Sequence, residues 1–306
     1  MAAEGKVYTD IDALTRLRHD ARGFSFLPRQ PVHSLLSGRK LSRLRGRGLD
    51  FEELRHYRPG DDIRDMDWRV TNRTGKPHVR VYTEERDRPV VLVVDQRLSM
   101  FFGSQYKMKS VIAAELAALS AWRVIEQGDR VGAILFNDDT IVQFRPARSR
   151  GKLMALLGQL VKMNQQLCID PDHQPRPERL SAALAEAEKI VSHDTLVVIV
   201  SDFDGWNSEA LASVKRMAQH NDLIAGLVFD SLEQDISPAT DLVVSDGRYQ
   251  LQLDPHKEDL GLRFEAHFQS SLSQLQQELR KHGMPVLTIN TVDPVFEQLR
   301  AQLGRH

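Results

Sequence analysis

PVVLVVDQRLSM, residues 89–100, is the stretch that decides the fold. Five apolar residues, four of them Val, run without a break into Asp95. That pattern is a strand buried on both faces, the kind found at the centre of a parallel sheet. A second run of the same kind, TLVVIVSDFDG at residues 195–205, leads into Asp202 and then Asp204. Both runs are far shorter than the roughly 20 residues needed to cross a bilayer. In open α/β sheets, ligands bind beyond the carboxyl ends of the strands, near the point where the strand order reverses. Each run therefore ends on a carboxylate where a binding site is expected.

Outward from these two runs, helix and strand patterns alternate. Helices are expected over residues 107–127, with Met108, Ile112, Leu116 and Leu119 on one face, and over 151–163, 180–192, 209–220, 263–282 and 294–303. Strands are expected over 130–136, 140–144, 223–229 and 285–291, with a hairpin over 242–253 around Asp246-Gly247. Alternation of this kind predicts an α/β fold with a doubly wound, mainly parallel, Rossmann-like sheet. The first part of the chain is broken by Pro28, Pro31, Gly38, Gly46 and Gly48, with a helix over 10–21 and a strand in HVRVYTEE. The predicted organisation is an N-terminal extension with β structure over 1–88 and the α/β domain over 89–306.

Composition narrows the function classes. With 306 residues, 41% hydrophobic and a net charge of −1, the chain can bury a core and shows no overall bias toward polyanions or polycations. The lone Cys168 cannot close an internal disulfide and is expected to be at least partly buried. With no basic-then-apolar leader, this predicts a cytoplasmic protein. Charge is unevenly placed. Residues 14–47 carry nine Lys or Arg against one Asp, and residues 48–67 carry seven acids against three Arg. The two blocks either pair with each other or face two partners.

At the strand ends the chain resembles a von Willebrand factor type A domain. The resemblance rests on Asp95 and Ser99 in DQRLSM, and on Asp202 in VIVSDFDG about 100 residues later. It implies a metal-ion-dependent adhesion site, in which Mg²⁺ is held by carboxylates and hydroxyls and takes an acidic residue of a partner protein. Two positions depart from that pattern: Arg97 stands at the middle serine, and Glu178 where a threonine is usual. A guanidinium is permanently charged, has five donors and offers no lone pair to a metal. The expectation is that Arg97 replaces the ion and pairs with Asp95, Asp202 or Glu178, leaving a degenerate site for a protein partner made of these residues with Ser99 and Asp204. Were Mg²⁺ retained, Asp95, Ser99 and Asp202 would hold it; no other cofactor is expected.

Upstream, the segment from Gly46 to Ser104 resembles the bacterial family known as domain of unknown function fifty-eight. The matching features are Asp50-Phe51, Leu54-Arg55, Tyr57, Pro59-Gly60-Asp61, Arg64, Asp67-Trp68 and Glu84-Glu85-Arg86, in fixed order. The resemblance implies a non-enzymatic adaptor or co-factor that works with a MoxR-type AAA+ ATPase in assembly or maturation of other proteins. In residue terms, the alternating Arg and Asp of RPGDDIRDMDWR suit strict bidentate pairing, with Trp68 as an apolar anchor. Such a segment serves either as a structural clamp or as a recognition surface.

Two other readings remain open. Asp61, Asp62, Asp65 and Asp67 could bind metal for phosphodiester hydrolysis, and Arg39, Lys40, Arg43, Arg45 and Arg47 could bind nucleic acid or another anionic surface. Against an enzyme, there is no phosphate loop, no Gly-x-Ser-x-Gly elbow and no His-Glu-x-x-His, and the eleven histidines are scattered.

Overall fold

The computed structural model describes residues 7–23, 49–58, 61–84, 88–169, 174–236, 242–245, 250–253 and 260–304. In chain order the elements are α1 (Ile11–Arg16), β1 (Leu49–His56), α2 (Trp68–Thr74), β2 (His78–Glu84), β3 (Val90–Asp95), α3 (Lys109–Glu126), β4 (Val131–Phe136), β5 (Ile141–Ala147), α4 (Arg150–Gln165), α5 (Arg179–Ile190), β6 (Leu196–Ser201), α6 (Ser208–Ala218), β7 (Asp222–Phe229), α7 (Ser231–Gln234), β8 (Leu242–Ser245), β9 (Gln250–Leu253), α8 (Leu260–Arg280), β10 (Val286–Asn290) and α9 (Val295–Leu303). They form two compact units, one of Met1–Val32 with Arg88–His306 and one of His33–Asp87.

The larger unit is a doubly wound α/β fold. Its six-stranded sheet has the order β10-β7-β6-β3-β4-β5, with every neighbour parallel except β5, which runs antiparallel to β4. Numbered along the chain from β3, the order is 3-2-1-4-5-6, so the order reverses between β3 and β6. These are the two apolar runs, and every residue of both strands is buried. Alternate side chains serve opposite faces, as the two-residue period of a strand requires. Val90, Leu92 and Val94 pack with α3, α4 and α9, while Val93 packs with α5, α6 and the end of α8. A separate antiparallel pair, β8 with β9, supplies the expected hairpin strands; its turn lies outside the described residues.

The predicted 1–88 extension is divided in the structure. Its first residues join the α/β unit, because α1 packs on α3 through the fully buried Leu14. The buried Trp122 indole N–H donates to the Leu14 carbonyl at 2.9 Å. Asp10 caps α1 by accepting from the Ala13 N–H at 2.7 Å. Cys168, expected to be partly buried, is exposed.

In the smaller unit, β1 and β2 pair antiparallel, with an irregularity between Phe51 and Glu53. The sequence reading missed α2, a two-turn helix with few apolar residues. Asp67 caps its start by accepting from the Arg69 and Val70 N–H groups, and Gly75 ends it at φ 68°. Helix α2 meets β2 through Asp67 and Thr71, whose backbone N–H and hydroxyl bond to His78. This leaves Trp68 on another face, 59% exposed, so the expected apolar anchor is instead a surface residue.

Candidate functional site at the strand ends

Asp95 closes β3 and Asp202 follows β6, so the two carboxylates leave neighbouring strands at the switch point. Between them lies Arg97, only 1% exposed. Its Nη2 donates to Asp95 Oδ2 at 2.6 Å and to Asp202 Oδ1 at 3.5 Å, and its Nε to Asp95 Oδ1 at 3.0 Å. Nη1 reaches the Pro177 carbonyl at 3.3 Å and Nη2 the Asp204 carbonyl at 3.0 Å. The guanidinium also lies 5.6 Å from the Phe136 ring centroid. The Ser201 hydroxyl donates to Asp95 Oδ2 at 2.7 Å.

A second buried cation stands beside the first. Lys109 Nζ donates to Asp202 Oδ2 at 3.2 Å and to Glu233 Oε1 at 2.6 Å. Burial pushes the Asp95 carboxyl above the usual carboxylate range, against the opposing pull of Arg97. Burial also disfavours the Arg97 charge, but the carboxylates of Asp95, Asp202 and Asp204 together outweigh it and raise the guanidinium pKa. For Lys109 the same balance holds: burial works against the ammonium, and the Asp202 and Glu233 charges raise it. Asp202 is desolvated too, yet the charges of Lys109 and Arg97 hold its pKa below the ordinary value. Each buried charge is thus answered by an opposite one, the condition on which buried ions persist.

The loops around this network are tightly set. Phe203 has φ 60° and Gly205 φ 76°, both left-handed. A Cβ on Gly205 would stand 2.3 Å from the Pro177 carbonyl oxygen, so only glycine allows the loop after β6 to lie against the 177 loop and align the carbonyls that Arg97 uses. Two further buried acids at strand ends do similar work. Asp138, after β4, accepts from the Leu98 and Arg176 N–H groups at 2.7 and 3.1 Å. Asp230, after β7, accepts from the Ser104 hydroxyl and the Thr291 hydroxyl, each at 2.5 Å.

The site residues expected from sequence therefore divide. Asp95, Arg97, Asp202 and the Asp204 backbone come together. Ser99 borders the same cleft, and its enclosed hydroxyl has no hydrogen-bond partner among the described residues. Glu178 does not pair with Arg97: it sits exposed at the start of α5 and joins no ion pair among the described residues. The chain bends there so that the Pro177 carbonyl, not the carboxylate, faces the guanidinium. Lys109, Glu233, Asp138 and Asp230 went unread, because single charges at loop ends and helix starts carry no sequence pattern.

Mg²⁺ demands several oxygen ligands in near-octahedral order. Both Asp95 oxygens are engaged by Arg97, and the guanidinium occupies the space between the two carboxylates. Among the described residues, no group of three or more His, Cys, Asp or Glu side chains is placed to hold a metal ion. The residues present at this position do not fit a divalent cation.

In the smaller unit, Arg55 pairs with Asp61 through two bonds of 2.8 Å, and Arg80 Nε bonds Asp67 at 2.8 Å. Asp62 caps a short 3₁₀ turn. Three of the four acids proposed for phosphodiester chemistry are thus engaged in pairing or capping, and that alternative loses its cluster. Arg64 and Trp68 are exposed and Tyr57 is half-buried. Asp50 is described in its backbone alone, within β1, whereas Gly60, Glu85, Arg86 and the basic block Arg39–Arg47 lie outside the described residues.

Beside the ion network opens a cleft of about 720 Å³, bordered by Ser99, Lys109, Asp202 and Glu233 at one end and by one face of α8 along its side. The Trp206 indole N–H donates to Glu278 at 2.7 Å, tying α8 to the loop after β6. Among the described residues, no helix is long and apolar enough to cross a membrane.

Comparisons with known proteins place the chain beside relatives described as uncharacterized. Uncharacterized protein Mb1516 of Mycobacterium bovis and uncharacterized protein Rv1480 of Mycobacterium tuberculosis are each 27% identical over 296 residues, covering 92% of this chain and 87% of theirs. Among solved structures, the conserved hypothetical protein BatB from Bacteroides thetaiotaomicron overlaps 64% of this chain and 98% of its own, at 13% identity and a TM-score of 0.38. One family profile matches residues 53–278, most of the chain and both units. The chain belongs to the family described as protein of unknown function DUF58.

Proposed function

We propose that this chain is a non-enzymatic, cytoplasmic binding module that works as an adaptor or co-factor of a MoxR-type AAA+ ATPase in the assembly or maturation of other proteins. On this reading it uses the strand-end rim of a von Willebrand factor type A-like domain whose adhesion site has lost its metal. The observation that carries it is the Asp95–Arg97–Asp202 network at the switch point. It occupies the position where such a domain would hold an ion, and internal contacts satisfy its charges. The acids and the guanidinium of this network are spent on internal pairing, which favours binding over acid–base chemistry, while the adjoining cleft leaves a surface to bind with.

The test is affinity capture with mass spectrometry from native cells, using the wild type and Asp204→Lys, an exposed change at the rim. An AAA+ ATPase should be recovered with the wild type and depleted with the variant. Equal recovery with a normally folded variant, or no ATPase in either eluate, would overturn the proposal.

A further inference from the structure

The sign of the partner's charge can be read from the same cleft. An adhesion site with a bound metal receives an acidic side chain; here the cations are sealed. Arg97 and Lys109 are 2% and 4% exposed at their side chains, and each already pairs with carboxylates. Among the described residues, the charges that border the cleft are otherwise acidic: Asp202, Asp204, Glu233 and Glu278 stand against Lys109, with His267 the other titratable group. Asp204 is exposed, and the Glu233 side chain is 33% exposed.

The side wall is apolar. Phe264, Phe268, Leu272 and Leu275 follow one another at spacings of four, four and three, so they share a face of α8, and all four border the cleft. Toward its N-terminus the helix is poorly covered, with Phe264 40% exposed. A groove with an apolar side and an acidic rim is complementary to a segment of the opposite pattern.

We infer that the cleft between α8 and the strand ends receives a basic amphipathic segment of a partner protein, its apolar side chains against the α8 stripe and its Lys or Arg side chains at Asp204 and Glu278. This rests on the reading of the rim as a protein-binding surface, and adds the partner's chemistry. Burial of the apolar face drives such docking. The exposed charge pairs add little affinity each but select against acidic segments.

Fluorescence anisotropy with the full chain tests it. One labelled helical peptide carries Leu and Phe on one face and Lys and Arg on the other; its counterpart has Glu at every basic position. The basic peptide should bind, weaken as salt is raised, and lose about tenfold or more in affinity in the double variant Asp204→Lys with Phe264→Ser. Both changes are at exposed positions, and circular dichroism checks the fold. Binding of the acidic peptide as well as or better than the basic one overturns the inference. So does binding unchanged by the double variant, or binding of neither peptide. Loss of peptide binding while the native ATPase is still captured through the rim removes this inference and leaves the adaptor proposal standing; the opposite pattern does the reverse.

Discussion

Arg97 is held by a carboxylate on each side, so its removal does more than delete one contact. Asp95 is fully buried, and without the guanidinium its charge has no partner of opposite sign among the described residues. Arg97→Met should therefore destabilise the protein by about 3–5 kcal/mol, the usual cost of breaking a buried pair from one side. Arg97→Met combined with Asp95→Leu should recover much of that loss. Urea unfolding midpoints of the three proteins check both expectations; an Arg97→Met midpoint equal to wild type would mean the pair carries no such weight. The core of this network was legible in the sequence because Asp95 and Arg97 follow directly from a strand whose burial is written in its Val-rich composition. Lys109 was not, since its partners Asp202 and Glu233 lie 93 and 124 residues away and only folding brings them together.

The elements that aim these residues are loops and caps. In the loop after β6, Gly205→Ala would place a side chain at φ 76° against the Pro177 carbonyl. The left-handed backbone alone costs about 1–2 kcal/mol, and the contact adds to it. A lowered thermal midpoint is expected, and an unchanged one would show that the two loops need not touch. In the smaller unit, hydrogen bonds from the Val70 N–H and from Arg80 hold the Asp67 pKa below 3.8. A lowered folded-state value means the stabilisation is present above the unfolded pKa and disappears as pH falls through the folded one. The Val70 amide resonance should accordingly keep its neutral-pH position down to about pH 4 and move only below it; movement centred above that would contradict the cap. The long periodic helices and the Val-rich strands were readable to within a few residues. Helix α2 was not, because two turns with little apolar content carry no period, and its signals were only the Asp67 cap and the glycine after Thr74.

At the scale of the molecule, the α/β order followed from alternation alone, but the boundary near residue 88 accounted for only one end of the larger unit. A basic, proline-broken stretch hid the fact that Leu14 is a core residue of that unit. Deleting residues 1–23 should lower the unfolding temperature, because it uncovers α3 and leaves the buried Trp122 N–H without the Leu14 carbonyl; a unit complete from residue 89 would be unaffected. The same architecture sets two strand ends side by side and fills the space between them with an arginine. Calorimetric titration of the wild type with Mg²⁺ tests that substitution most directly. No saturable heat is expected, and none should appear or vanish in Asp95→Ala; a micromolar Mg²⁺ isotherm that Asp95→Ala abolishes would contradict the account.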